Sequence, residues 1–135
     1  MNYKRIYEEL ILRSKNRIIP NSYVEKHHII PDFMFKNRRH SGHKGHLPGD
    51  SNAPENIVTL TPREHLISHM FLCKIYRSTK YEYQCLSSLL IMLNGGGKGS
   101  KRSINRQILR ESMGKAKLYA IFKAKAIYAL SKMYR

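Results

Sequence analysis

Tyr3, Ile6, Tyr7, Leu10 and Ile11 recur at the three-and-four spacing of a helix, with Lys4, Arg5, Glu8 and Glu9 on the opposite face. The pattern predicts a leading amphipathic helix that ends near Arg17, before the break Ile18-Ile19-Pro20-Asn21. Residues 23–30 are β-rich and read as extended, and Pro31 stops them. Between residues 36 and 53 the periodicity gives way to a polar, basic stretch carrying Gly42, Gly45, Pro48 and Gly49. This predicts a loop long enough to have a role of its own. A second short strand is predicted over 56–60.

The next start signal is clean. Thr61 is a helix N-cap, Pro62 takes the first helical position, and Glu64 completes a capping box. The predicted helix runs over 62–76, turns Leu66, Met70, Phe71 and Cys73 toward a core, and carries His65 and His69 in its first turns. A further helix over 81–93 stops at Asn94-Gly95-Gly96-Gly97, which then acts as a linker. Ser103 caps a last helical region whose apolar positions are Ile104, Ile108, Leu118, Ile121, Phe122, Ile127 and Leu130, bent or interrupted at Gly114. The organisation expected is one domain over 1–97 and a basic helical extension over 98–135 that is not an independent domain.

Charge changes this picture most. Lys plus Arg number 25 against 9 Asp plus Glu, a formal +16. Such an excess is self-repelling and is usually kept because a polyanion binds it. Residues 98–135 hold eleven bases and one acid, Glu111, for +10, and residues 1–97 hold fourteen and eight, for +6. The tail is thus the stronger candidate for phosphate contact, with Lys98, Lys101 and Arg102 near its start. No apolar run approaches the roughly 20 residues that cross a bilayer, and the first residues lack the apolar stretch of a secretory signal. A cytoplasmic location and no membrane partner are expected. Cys73 and Cys85 form no CxxC and fall in apolar-periodic segments, so they read as buried, reduced thiols.

Four of the seven histidines carry the candidate chemistry. His27 and His28 are adjacent on the first strand, so they face opposite ways. His65 and His69, four apart on a helix, point their imidazoles to one side, as two ligands of one metal must. Asn56 lies between the pairs. Three nitrogen ligands, one free base and one amide are the equipment for metal-assisted phosphodiester hydrolysis.

The stretch from Asn56 to His69, Asn-Ile-Val-Thr-Leu-Thr-Pro-Arg-Glu-His-Leu-Ile-Ser-His, resembles the HNH endonucleases, or ββα-metal nucleases, and is especially similar to colicin-type DNases. The opening Glu25-Lys26-His27-His28 fits that group. The leading helix and Lys26-His27-His28-Ile29-Ile30-Pro31 are closer to phage-encoded, homing-type HNH proteins. The resemblance covers residues 23–76 and is loose from Lys80 onward. It implies an α+β fold: a small ββα-metal core with a leading amphipathic helix and a helical, basic C-terminal extension.

Carried over position by position, the resemblance makes His27, His65 and His69 the metal ligands and His28 the general base. An imidazole suits that role because it ordinarily titrates at about pH 6.5. Asn56 would tie the loop end to the strand carrying His28, and Glu25, on the ligand's face of the strand, would hydrogen-bond to His27. Lys36, Arg38, Arg39, Lys44 and Arg63 are candidates for gripping phosphate. The partner implied is DNA, most simply double-stranded, cut to leave 5′-phosphate and 3′-hydroxyl ends. Many HNH enzymes have an aspartate where His27 stands. Three imidazoles make a softer site, which leaves the single divalent ion open among magnesium, manganese, zinc and nickel.

Other readings stay open. His40, His43 and His46, spaced by three in the Gly-rich loop, could bind a separate zinc but more simply join the lysines and arginines as a basic flap over DNA. Gly95 to Gly99 lacks the spacing of a phosphate-binding P-loop and reads as a linker. A non-specific, toxin-like or degradative nuclease, a DNA-binding or packaging accessory with a structural metal, and an RNA substrate are the alternatives. Target sequence, nicking against double-strand cleavage, and a monomer against a homodimer are not decided by these residues.

Overall fold

The structure, a computed structural model, describes residues 1–19, 23–38, 44–94, 106–108, 110, 111 and 113. It is α+β: helix α1 (Tyr3–Lys15), strand β1 (Glu25–His28), strand β2 (Ile57–Leu60), and helices α2 (Pro62–Ile75) and α3 (Glu82–Asn94). Short 3-10 turns stand at Asp32–Met34 and Pro54–Asn56. The chain divides into two compact units, Arg5–Thr61 and Met1–Lys4 with Pro62–Arg135.

In the first unit, β1 and β2 form a two-stranded antiparallel ribbon in the register Glu25↔Leu60, Lys26↔Thr59, His27↔Val58 and His28↔Ile57. The pleat alternates: Glu25 and His27 are buried, Lys26 is exposed, and His28 is half-buried. Val58 and Leu60 bury the matching face of β2. The apolar stripe of α1 is also buried, at Tyr7, Leu10, Ile11 and Ser14, with the Ser14 hydroxyl returned to the Leu10 carbonyl.

The strand is shorter than the 23–30 predicted, for a visible reason. The Ile29 amide donates to the Asn56 carbonyl, and the Ile30 amide donates to the Asn56 side chain. The first of these is still a backbone bond in the ribbon's register, and at Ile30 the Asn56 side chain takes over where the ladder would have continued. Residues 50–56 are likewise not extended, since Pro54–Asn56 is a 3-10 turn and β2 starts one residue later than expected.

The long loop is partly organised. Phe35 and Leu47 make an isolated parallel bridge, with the Lys36 amide donating to Leu47 O and the Leu47 amide to Met34 O. Gly45 lies so close to this backbone that a Cβ would stand 2.0 Å from the Met34 carbonyl oxygen. Only glycine permits that approach.

In the second unit, α2 and α3 pack through Leu66, Leu89, Met92 and Leu93, with Met70, Cys73 and Met113 against them. Leu72 is buried where Phe71 had been expected, and the Phe71 ring instead lies 6.3 Å from that of Tyr3. The turn between the helices carries Ser78 at φ 64, and the Ser78 amide donates to the Glu82 carboxylate. Among the described residues no helix is long and apolar enough to cross a membrane. The glycine run, Ser103 and residues 114–135 lie outside the described residues.

Candidate functional site

The ribbon presents two histidines in different settings. His27 is 2% exposed and its Nε2 lies 2.8 Å from the Tyr7 hydroxyl. That hydroxyl donates its proton to the Ile29 carbonyl at 2.7 Å. A carbonyl can only accept, so the phenolic oxygen accepts from His27 Nε2–H, which leaves the neutral ring's lone pair on Nδ1. Tyr7 therefore sets which nitrogen of His27 can meet a metal. Its sequence signal was an apolar stripe, and nothing in that stripe marks a hydroxyl with two partners. Glu25, on the same buried face, accepts from the Tyr23 hydroxyl at 2.9 Å.

His28 is on the other face, half-buried, with Nε2 2.8 Å from the Asn52 amide oxygen. Asn52 was not singled out in the sequence, being one polar residue in a polar loop 24 positions away. Asn56 is buried and fully engaged. Its Oδ1 accepts from Ile30 N–H at 2.8 Å, and its Nδ2 donates to Ile30 O at 3.0 Å and to Ser51 O at 2.8 Å. It thereby joins the end of β1 to the loop that precedes β2.

One residue, Thr61, separates β2 from α2, which starts at Pro62 with Glu64 in its first turn. On that helix His65 is buried and His69 half-buried, and their Nε2 atoms lie 3.2 Å apart with ring centroids at 4.9 Å. Two nitrogens on one ion at metal–nitrogen distances of about 2.0–2.1 Å in tetrahedral array stand about 3.4 Å apart. The pair therefore fits a shared divalent ion, and as a donor set of imidazoles it suits a borderline-soft one.

The candidate phosphate ligands are differently placed. Lys36, Lys44 and Arg63 are exposed, as is His46. Arg38 is largely buried, its Nε 3.5 Å from the Asp32 carboxylate. Arg39, His40, His43, Lys98, Lys101 and Arg102 lie outside the described residues. Cys73 and Cys85 are free thiols. Burial first, then the Glu82 carboxylate, pushes Cys73 up to about 12; burial first, then Cys73, does the same for Cys85. Both are held as inert thiols.

An antiparallel ribbon whose second strand runs through a single residue into a helix bearing an imidazole pair defines a small, histidine-bearing ββα protein of the α+β class. Proteins of Enterobacteria phage T4 are similar to it. "Probable mobile endonuclease E" is 43% identical over 76 residues, 56% of this chain and 44% of that protein. "Probable mobile endonuclease D" is 38% identical over 80 residues, 56% of this chain and 26% of the relative. "Probable mobile endonuclease B" is 35% identical over 121 residues, 84% of this chain and 40% of the relative. The matches thus span less than half the length of these curated relatives. No protein-family model and no solved structure matches the chain.

Proposed function

We propose that the chain is a metal-dependent DNA endonuclease of the HNH type, phage-encoded and homing-type, that hydrolyses phosphodiester bonds in double-stranded DNA with one divalent ion. The observation that carries this reading is the convergence of His65 and His69 at a spacing two ligands of one metal adopt. By the HNH pattern His27 would be the third ligand, giving one ion three imidazoles. His27 would bind through Nδ1, with Tyr7 keeping the proton on Nε2. The names of the T4 relatives, mobile endonucleases, support the activity, and the formal +16 suits a polyanionic substrate.

When bound, the ion supplies charge stabilisation to the crowded phosphorus centre and the departing sugar oxygen. His28 takes one proton from a water aimed at phosphorus. The water oxygen forms the new P–O bond, the P–O3′ bond breaks, and the leaving oxygen gains a proton from solvent. The ends are a 5′-phosphate and a 3′-hydroxyl. Asn56 holds the strand end and the loop at fixed spacing, while Glu25 stiffens the buried face of the ribbon. Lys36, Lys44 and Arg63, with Arg38, Arg39, Lys98, Lys101 and Arg102, would carry the phosphate backbone, so binding should weaken steeply with salt.

The test is nicking and linearisation of supercoiled plasmid by wild type, His28→Ala and His69→Ala across magnesium, manganese, nickel, zinc and chelator, with metal content measured in parallel. Cleavage that needs a metal, is lost in His28→Ala with metal retained, and is lost in His69→Ala with metal, establishes the reading. Cleavage that persists in His28→Ala sinks it. A fold that melts on chelation without any cleavage activity returns a structural metal instead.

A further inference from the structure

Asn52 stands out because everything around it in the loop is pinned while its own side chain is not buried. The Asn52 amide donates to Asp50 Oδ1 at 2.9 Å, and the Ala53 amide to Asp50 O at 3.0 Å. The Ser51 hydroxyl donates to Asp32 Oδ1 at 2.6 Å, and the Ser51 carbonyl accepts from Asn56 Nδ2 at 2.8 Å. Residues 50, 51, 53 and 56 thus form a braced turn, and Asn52 projects from it onto His28. A solvent-facing asparagine costs rotamer entropy to hold in one pose. Here the backbone on both sides has already been ordered by other bonds, so less is lost.

We propose that Asn52 is the positioning residue of the proton-accepting histidine. Its amide oxygen accepts from His28 Nε2–H, which orients the ring and leaves Nδ1 as the lone pair that meets the attacking water. The inference rests on the reading of His28 as the base. In the step, a water O–H bond breaks, its proton passes to Nδ1, and the water oxygen becomes bonded to phosphorus. The ring is then an imidazolium with both nitrogens protonated. The Nε2–H bond to Asn52 becomes charge-assisted and stronger as the proton arrives, so it stabilises the transition state more than the resting enzyme. A neutral amide does this without setting a negative charge beside the phosphate that must approach. A carboxylate in its place would hold the same tautomer but repel the substrate.

That difference supplies the experiment. Long-range proton–nitrogen spectra of nitrogen-15-labelled wild type, Asn52→Ala and Asn52→Asp, with the imidazoles neutral, report which His28 nitrogen carries the proton. His28→Ala identifies the signals. Plasmid nicking gives kcat and KM for the same proteins.

The expected result is a His28 Nε2–H tautomer in wild type and Asn52→Asp and a mixture in Asn52→Ala. In Asn52→Ala kcat falls about tenfold, short of the about 10²–10⁴-fold that loss of the base itself brings. Asn52→Asp restores kcat but raises KM, more so at low salt. A wild-type Nδ1–H tautomer, meaning the amide is turned with its NH₂ toward the ring, overturns the proposal. So does an unchanged kcat in Asn52→Ala, or an Asn52→Asp protein no better than the alanine variant. Faster exchange of the Ile30 amide in Asn52→Ala would mean a loosened loop, and would replace positioning with a merely structural role. Cleavage surviving in His28→Ala refutes the base assignment itself. An inactive His28→Ala beside a fully active Asn52→Ala refutes only the part played by Asn52.

Discussion

Replacing Asn56 by alanine should be among the most damaging single changes in the ribbon unit. The side chain is 7% exposed and makes three hydrogen bonds to backbone groups, two of them to Ile30 and one to Ser51. Each such bond contributes about 0.5–1.5 kcal/mol net, and a buried partner left unmade costs about 1–3 kcal/mol. Ile30 is 40% exposed, so water can reach part of the gap and the upper figures do not apply there. The sum is a loss of about 3 kcal/mol, concentrated on the end of β1 and the 51–56 turn. Amide hydrogen exchange reads it directly: the Ile30 amide should lose about a hundredfold in protection, since about 1.4 kcal/mol is tenfold. Urea unfolding should show the midpoint lowered. An Ile30 amide that exchanges at the wild-type rate in Asn56→Ala would refute the claim that this side chain, rather than the strand pairing, holds the segment.

Tyr7→Phe removes the acceptor for His27 Nε2–H, and metal affinity measured by competition with a chromogenic chelator should fall about 10–100-fold; an unchanged affinity would separate Tyr7 from the ligand set. Gly45→Ala drives a Cβ into the Met34 backbone and should destabilise the ribbon unit by about 3 kcal/mol, seen as a lowered melting temperature. Cys73 and Cys85, raised from 9.0 to about 12 chiefly by burial, should be about a thousandfold slower toward a disulfide reagent at pH 8 in the folded protein than in urea. The same shift fixes a pH trend. Between 9.0 and about 12 the folded state holds thiol protons that the unfolded state has lost, so the thiols' contribution to stability is constant below 9.0 and falls as pH climbs above it. Unfolding midpoints that hold steady from pH 8 to 11 would contradict it.

Much of the fold was legible in the residues. The Tyr3-to-Ile11 stripe appears as α1, and the Thr61-Pro62 signal opens α2 where predicted. Those elements were readable because local propensity, capping chemistry and apolar period agree over several turns. Where the outline missed, a side chain had replaced a backbone partner. Ile30 looks like strand by composition, yet the Asn56 side chain takes its amide, and no periodicity reports such a substitution. The 3-10 turns escaped for a related reason, being too short to show any period. Of the candidate site, residue types and spacings pointed to the histidines and to Asn56. Tyr7 and Asn52 were not visible, because a tyrosine in an apolar stripe and an asparagine in a polar loop are each what those places ordinarily contain. Their contacts lie 20 and 24 residues away.

The pairing of β1 with β2 has a consequence for how such a chain can change. His27 and His28 differ in environment only because one is odd and the other even along a pleat. A four-residue ribbon is too short to defend that parity by itself. Asn56, gripping Ile30 from outside the ladder, counts the residues for it. Inserting one residue between His28 and Ile30 would exchange the two imidazoles between faces, so that the ring suited to holding an ion and the ring suited to taking a proton trade places. Inserting two would restore them. Descent with insertions should therefore be permissive in the loop and restricted to even steps in the strand.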